Sequence, residues 1–171
     1  MARPTLNIIR ILRETADRIE AAGISYWDHP GNTNCGHLAQ VVAAISPAEL
    51  EIRARAQQLD EWPDYANAFT SHTGQPMDDV VECLLNTGFS SADFHRLEYL
   101  SDITILQALP GGFRSLSRKN RGDVTLYLRT WAGLLELERA LIPAQMPFQA
   151  DDSSLQNRLD DTANWPPAFW N

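Results

Sequence analysis

The sequence predicts an all-α fold: a single compact bundle of about six helices with long loops and an extended C-terminal tail. Three observations predict it. Apolar residues recur at i, i+3, i+4 and i+7 along most of the chain. Capping residues, prolines and glycines stand where helices need their starts and stops. Strand signals are scarce: only DITILQAL, residues 102–109, reads as a short strand, and its neighbours offer it no sheet.

The elements follow in order. Ile8, Ile9, Leu12, Ala16 and Ile19 share one face of a first helix over residues 5–22, with Gly23 as its stop. Arg10, Arg13, Glu14 and Asp17 fall largely off that face. A polar, turn-rich loop over 25–33 leads to a second helix starting close to Cys35, carried by Leu38, Val41, Val42 and Ile45. Ser46-Pro47-Ala48-Glu49 has Ser at the N-cap, Pro at N1 and Glu at N3, so a third helix runs over 47–59, turned relative to the second. A loop with at most a short helical turn spans Trp62-Pro63 to Pro76. Val80, Val81, Leu84 and Leu85 then give a helix a buried face, and Gly88 ends it. In FSSADF, Ser90 is the N-cap, Asp93 is N3, and Phe89 and Phe94 stand at the staple positions N′ and N4. Pro110-Gly111-Gly112 breaks the chain before a last long helix over 123–141, marked by Val124, Tyr127, Leu128, Trp131 and Leu135.

At 171 residues, the chain has the length of one domain with a real core. The division expected is a helical domain over 1–147 and an acidic, aromatic-ended tail over 148–171. No apolar run approaches the roughly 20 residues that span a bilayer, and charged residues interrupt the N-terminal segment where a signal peptide needs an apolar stretch. A cytoplasmic location is therefore expected, with Cys35 and Cys83 as free thiols rather than a disulfide. A net charge of −8 argues against general binding to nucleic acid or anionic membrane, because the long-range field repels both.

The segment HPGNTNCGHLAQVV, residues 29–42, gathers His29, Cys35 and His37 before an apolar run. A cysteine at a helix N-terminus feels the positive end of the helix dipole, which favours the thiolate. NCGHLAQVV is similar to the DCSGLVQ type of segment at the nucleophile of NlpC-like peptidases, whose cysteine also opens a helix. The likeness is confined to this segment and departs at Asn34 and His37. The downstream strands that carry the histidine base in that family are not seen here. It implies Cys35 as a nucleophile. His37, two residues on, does not face Cys35 within one helix, so the base falls to His29 or to the distant His72 or His95. A metal reading of His29, Cys35 and His37 meets no common zinc spacing, and no metal or cofactor is assigned. The structural alternative has Asn32, Thr33 or Asn34 as a cap, Cys35 as a small buried hydrophobe and His37 as a surface or half-buried polar residue.

Other groups stand out. His95, Glu98 and Tyr99 share a helix face at i, i+3 and i+4, the pattern of a solvated polar face. Cys83, among Val80, Val81, Leu84 and Leu85, reads as core and inert. The loop PGGFRSLSRKNRGD clusters Arg114, Arg118, Lys119 and Arg121, cations suited to an anion or to a protein partner, the acidic tail included. The tail ends in Trp165, Phe169 and Trp170, residue types that anchor docked peptides. Together these predict a soluble helical binding or interaction protein whose protein or small-molecule partner and oligomeric state are unknown. The alternative is a cysteine-dependent hydrolase or transferase with Cys35 as nucleophile.

Overall fold

A computed structural model describes residues 1–22, 30–59 and 61–141. Among these residues it is all-helical, with eight α-helices and no strand: α1 (Leu6–Ala21), α2 (Asn34–Val42), α3 (Pro47–Ala56), α4 (Trp62–Ala68), α5 (Asp78–Thr87), α6 (Ser91–Tyr99), α7 (Ile103–Gln107) and α8 (Arg121–Leu141). A 3₁₀ turn, Pro30–Asn32, leads into α2. The helices beyond the expected six are the short α4 and α7. In α7, Asp102 accepts the Thr104 N–H at 2.9 Å and starts a helix where the β-branched run had hinted at a strand. Gly23, the boundary at 147/148 and the whole tail lie outside the described residues.

The two long helices, α1 and α8, lie side by side. Their ion pairs run in opposite order along the two helices: Arg13 with Glu136 at 2.6 Å, and Arg129 with Asp17 at 2.9 Å and Glu20 at 2.6 Å. The pair is therefore antiparallel. Ile8, Ile9, Ile11, Leu12, Ala16 and Ile19 face Val124, Tyr127, Leu128, Trp131 and Leu135 within one contiguous core. The exposed ion pairs fix the register and add little net stability, because water screens them.

Caps decide where helices begin and end. Thr5, Thr33, Ser46 and Ser90 each accept an N–H of the first turn. At Ser90 the capping box is complete, with the Asp93 carboxylate accepting the Ser90 N–H at 2.9 Å. Phe89 and Phe94 are both buried there, and the Phe89 ring meets Trp131 edge-on at 5.9 Å. Gly88 ends α5 at φ 112°, a conformation costly for any residue with a Cβ. Leu100 ends α6 in the same left-handed region at φ 49°, held because its side chain is buried. Tyr127 braces this turn: its hydroxyl donates to the Arg96 carbonyl and accepts the Asp102 N–H, both at 3.2 Å.

Candidate functional site

Helix α2 has almost no solvent face. Every residue from Asn34 to Gln40 is buried, against α1, α5, α6 and the 3₁₀ turn. Its apolar residues Leu38 and Ala39 need only packing, but its polar groups must find partners inside the protein. Thr33 is the cap, accepting the Gly36 N–H at 3.1 Å. Gln40 accepts from Arg18 Nε at 3.1 Å and donates to the Gly31 carbonyl at 2.6 Å.

The first turn of α2 and the last turn of α6 cap each other. Asn34 Nδ2 donates to the carbonyls of Leu97 at 3.1 Å and Glu98 at 3.3 Å, at the end of α6, where Leu97 has only a long bond from the Leu100 N–H at 3.4 Å. In return, Glu98 Oε2 accepts the Cys35 N–H at 3.0 Å, an orphan donor of α2. Cys35 Sγ donates to the Phe94 carbonyl at 3.3 Å.

This geometry sets the thiol's chemistry. Cys35 is fully buried, and burial, then the Glu98 carboxylate, push its pKa well above the ordinary thiol value. The helix dipole was expected to favour the thiolate; a carboxylate already occupies that helix end, so the favourable field is spent on Glu98. Burial also raises the Glu98 pKa, against the lowering effect of the Cys35 hydrogen bonds and of Arg118. Cys35 thus stands as a neutral thiol that joins two helices.

The histidines do not assemble around it. His29 lies outside the described residues. His37 is buried, not at the surface; burial, then the nearby Arg18 charge, lower its pKa to about 4, and its Nδ1 has no hydrogen-bond partner. His72 lies against Asp79 and Glu82, at 3.4 Å and 3.6 Å, on an exposed part of α5. His95 points outward, its ring beside that of Tyr99 at 4.9 Å and tilted by 46°. The trio at 95, 98 and 99 is therefore split: Glu98 turns inward to α2, while Tyr99 donates to Glu61 at 3.4 Å and carries Arg118 over its ring at 4.9 Å. Among the described residues no group of three His, Cys, Asp or Glu side chains is placed to hold a metal ion. Cys83 is half-buried, its Sγ 3.6 Å from the Val42 carbonyl, and it lines a surface cleft with Glu49, Arg53 and Asp79.

The four cations of the 114–121 loop separate into two kinds. Arg118 is committed to Tyr99 and the Glu98 field, and Arg121 donates to the Glu20 carbonyl at 3.3 Å. Arg114 and Lys119 are exposed and make no hydrogen bond or ion pair among the described residues.

The structure adds a surface that the reading of the core face of α8 passed over. Leu126, Thr130, Gly133, Leu134, Leu137 and Leu141 form a second stripe on α8, half-buried at Leu126 and Leu134, which pack on the core, and open to solvent toward Leu137 and Leu141. With Ala108 and Pro110, most of them line an open groove of about 530 Å³. Leu137 is 65% exposed and Leu141 82%. The i, i+4 and i+3 spacing of these leucines is visible in the sequence, but a helix with two apolar stripes does not say which one faces the core.

Asp78 was also missed. It accepts from Tyr65 Oη at 2.6 Å, from the Thr73 N–H and Oγ1 at 2.6 Å and 2.9 Å, and from the Gln75 N–H at 3.0 Å. The Tyr65 hydrogen bond is the largest influence holding its pKa below the usual carboxylate range. It clasps the 73–76 loop and belongs to the scaffold.

No family model, curated protein or solved structure matches this chain.

Proposed function

We propose that the protein is a non-enzymatic interaction protein of the cytoplasm that binds an acidic, aromatic-bearing polypeptide segment along the outer face of α8. One observation carries the reading. The apolar stripe from Leu126 to Leu141 packs on the core at Leu126 and Leu134 but is exposed at Leu137 and Leu141, and it borders a groove whose Pro110 end continues into the loop bearing Arg114 and Lys119. Exposed apolar side chains that border an open groove favour an interaction site. Aromatic side chains fill such a groove, and acidic groups meet the two uncommitted cations. The overall charge of −8 supports a protein partner over nucleic acid. No helix among the described residues is long and apolar enough to cross a membrane. The buried, neutral Cys35 thiol lends no support to a cysteine nucleophile.

The test is panning of displayed peptides against the full chain and against Leu137→Asp. Leu137 is exposed, so the substitution should leave the fold intact. Enriched peptides should combine Asp or Glu with Trp or Phe and lose binding to the variant. No enrichment, or binding indifferent to Leu137→Asp, refutes the proposal.

A further inference from the structure

We infer that the α8 face is masked in cis by the chain's own C-terminal segment, with Trp165, Phe169 and Trp170 as its anchors, so that an outside partner must compete with it. The inference rests on the proposed binding role of that face and names its regulation.

Three facts bring this segment to this groove. The first is chemistry. The groove calls for aromatic and acidic groups, and residues 142–171 carry Trp165, Phe169 and Trp170 together with Asp151, Asp152, Asp160 and Asp161, against the single cation Arg158. The second is connection. The stripe ends at Leu141, the last residue of α8, and the segment follows directly. From Leu126 to Leu141 the face is about 22 Å long at 1.5 Å per residue. Fewer than about ten extended residues retrace that distance at roughly 3.3 Å each. The residues between Leu141 and Trp165 are ample for the return and for a turn.

The third is direction. A segment returning antiparallel to α8 travels toward Leu126, Pro110 and the loop that carries Arg114 and Lys119. It therefore lays Trp165, Phe169 and Trp170 along the groove, with Asp160 and Asp161 following behind them, and the net negative charge of the segment is drawn from a distance by the cations that make no ion pair among the described residues. These charges guide docking more than they hold it, since exposed pairs contribute little. The aromatic rings supply the holding, and Pro166-Pro167 stiffens the stretch between them and so lowers the ordering cost.

Tethering makes even weak docking effective. A segment tethered covalently to the end of α8 presents itself at an effective concentration of order 1 mM; for an intrinsic dissociation constant of about 0.1 mM it occupies the face about nine-tenths of the time and weakens an outside competitor roughly ten-fold.

The experiment uses two full-length chains and one probe. The probe is a fluorescein-labelled synthetic peptide with the sequence of residues 158–171. The chains are the unaltered protein and a variant carrying Trp165→Ala, Phe169→Ala and Trp170→Ala. The triple variant should bind the peptide and the unaltered chain should bind it roughly ten-fold more weakly. Leu137→Asp added to the triple variant should abolish binding. Equal binding by both chains overturns cis masking and leaves the proposed face intact. Binding by neither chain removes this segment as the occupant, while the panning experiment decides the face itself. Weaker binding by the unaltered chain, with a mass in light scattering that doubles over the titration range, assigns the segment to a second copy and overturns the cis contact.

A second measurement leaves the segment untouched. Leu137→Asp alone should raise acrylamide quenching of tryptophan emission, because Trp165 and Trp170 are released while Trp62 and Trp131 stay in the core. Unchanged quenching also overturns the inference.

Discussion

Asn34→Ala probes the reciprocal capping of α2 and α6. The substitution removes the Nδ2 donor that reaches the Leu97 carbonyl at 3.1 Å and the Glu98 carbonyl at 3.3 Å. The Leu97 carbonyl keeps a weaker partner, the Leu100 N–H at 3.4 Å. The Glu98 carbonyl takes its hydrogen bond from Asn34 and is left buried without it. One lost neutral hydrogen bond contributes about 1 kcal/mol, and an orphaned buried carbonyl costs about 1–3 kcal/mol. Asn34 Oδ1 is itself buried without a partner, so its removal gives back about 1 kcal/mol. The net loss is about 1–3 kcal/mol. With a urea m-value of about 2 kcal/mol/M, the unfolding midpoint falls by about 0.5–1.5 M. Asn34→Asp separates hydrogen bonding from packing, because it keeps the shape but turns a donor into a carboxylate facing two carbonyls and Glu98. It should destabilise more than alanine does. A midpoint shift below about 0.3 M for alanine, or aspartate no worse than alanine, refutes the capping argument.

Three further outcomes are expected. Ser90→Ala removes the cap that accepts the Asp93 N–H at 3.3 Å and donates to its carboxylate at 2.7 Å, and should cost about 1 kcal/mol; an unmoved denaturation midpoint counts against the capping box. His37 has a folded pKa lowered to about 4, so the unfolded chain takes up the proton first; stability is complete above the ordinary histidine value near 6.5 and is lost as pH falls toward 4, by up to about 3 kcal/mol. His37→Leu should flatten that part of the stability–pH curve, and parallel curves for the two proteins show the assignment to be wrong. In the native protein iodoacetamide should label Cys83 and spare Cys35, which reacts only in denaturant; mass-spectrometric mapping of rapid Cys35 labelling at neutral pH contradicts its placement as a buried thiol.

The all-α class and most helix boundaries were determined by the sequence itself. The reason is that these signals are local. Ser46 with Pro47 and Ser90 with Asp93 set their own backbone hydrogen bonds within four residues, and Gly88 supplies a positive φ that few residues tolerate. The core face of α1 was legible because one period, repeated over several turns, leaves little choice of buried side. The chemistry around Cys35 was decided by tertiary structure alone. A thiol at a helix N-terminus reads the same in sequence whether its neighbour is a cation or a carboxylate, and that neighbour, Glu98, stands 63 residues away. His37 was expected at the surface or half-buried, and its full burial depends on what packs over α2, not on α2. The leucines on the outer face of α8 were equally visible, but only the packing of α1 against the opposite face shows that Leu137 and Leu141 are left outward. Local rules fix a backbone over a few residues; the field and exposure at a side chain belong to residues brought together by the fold.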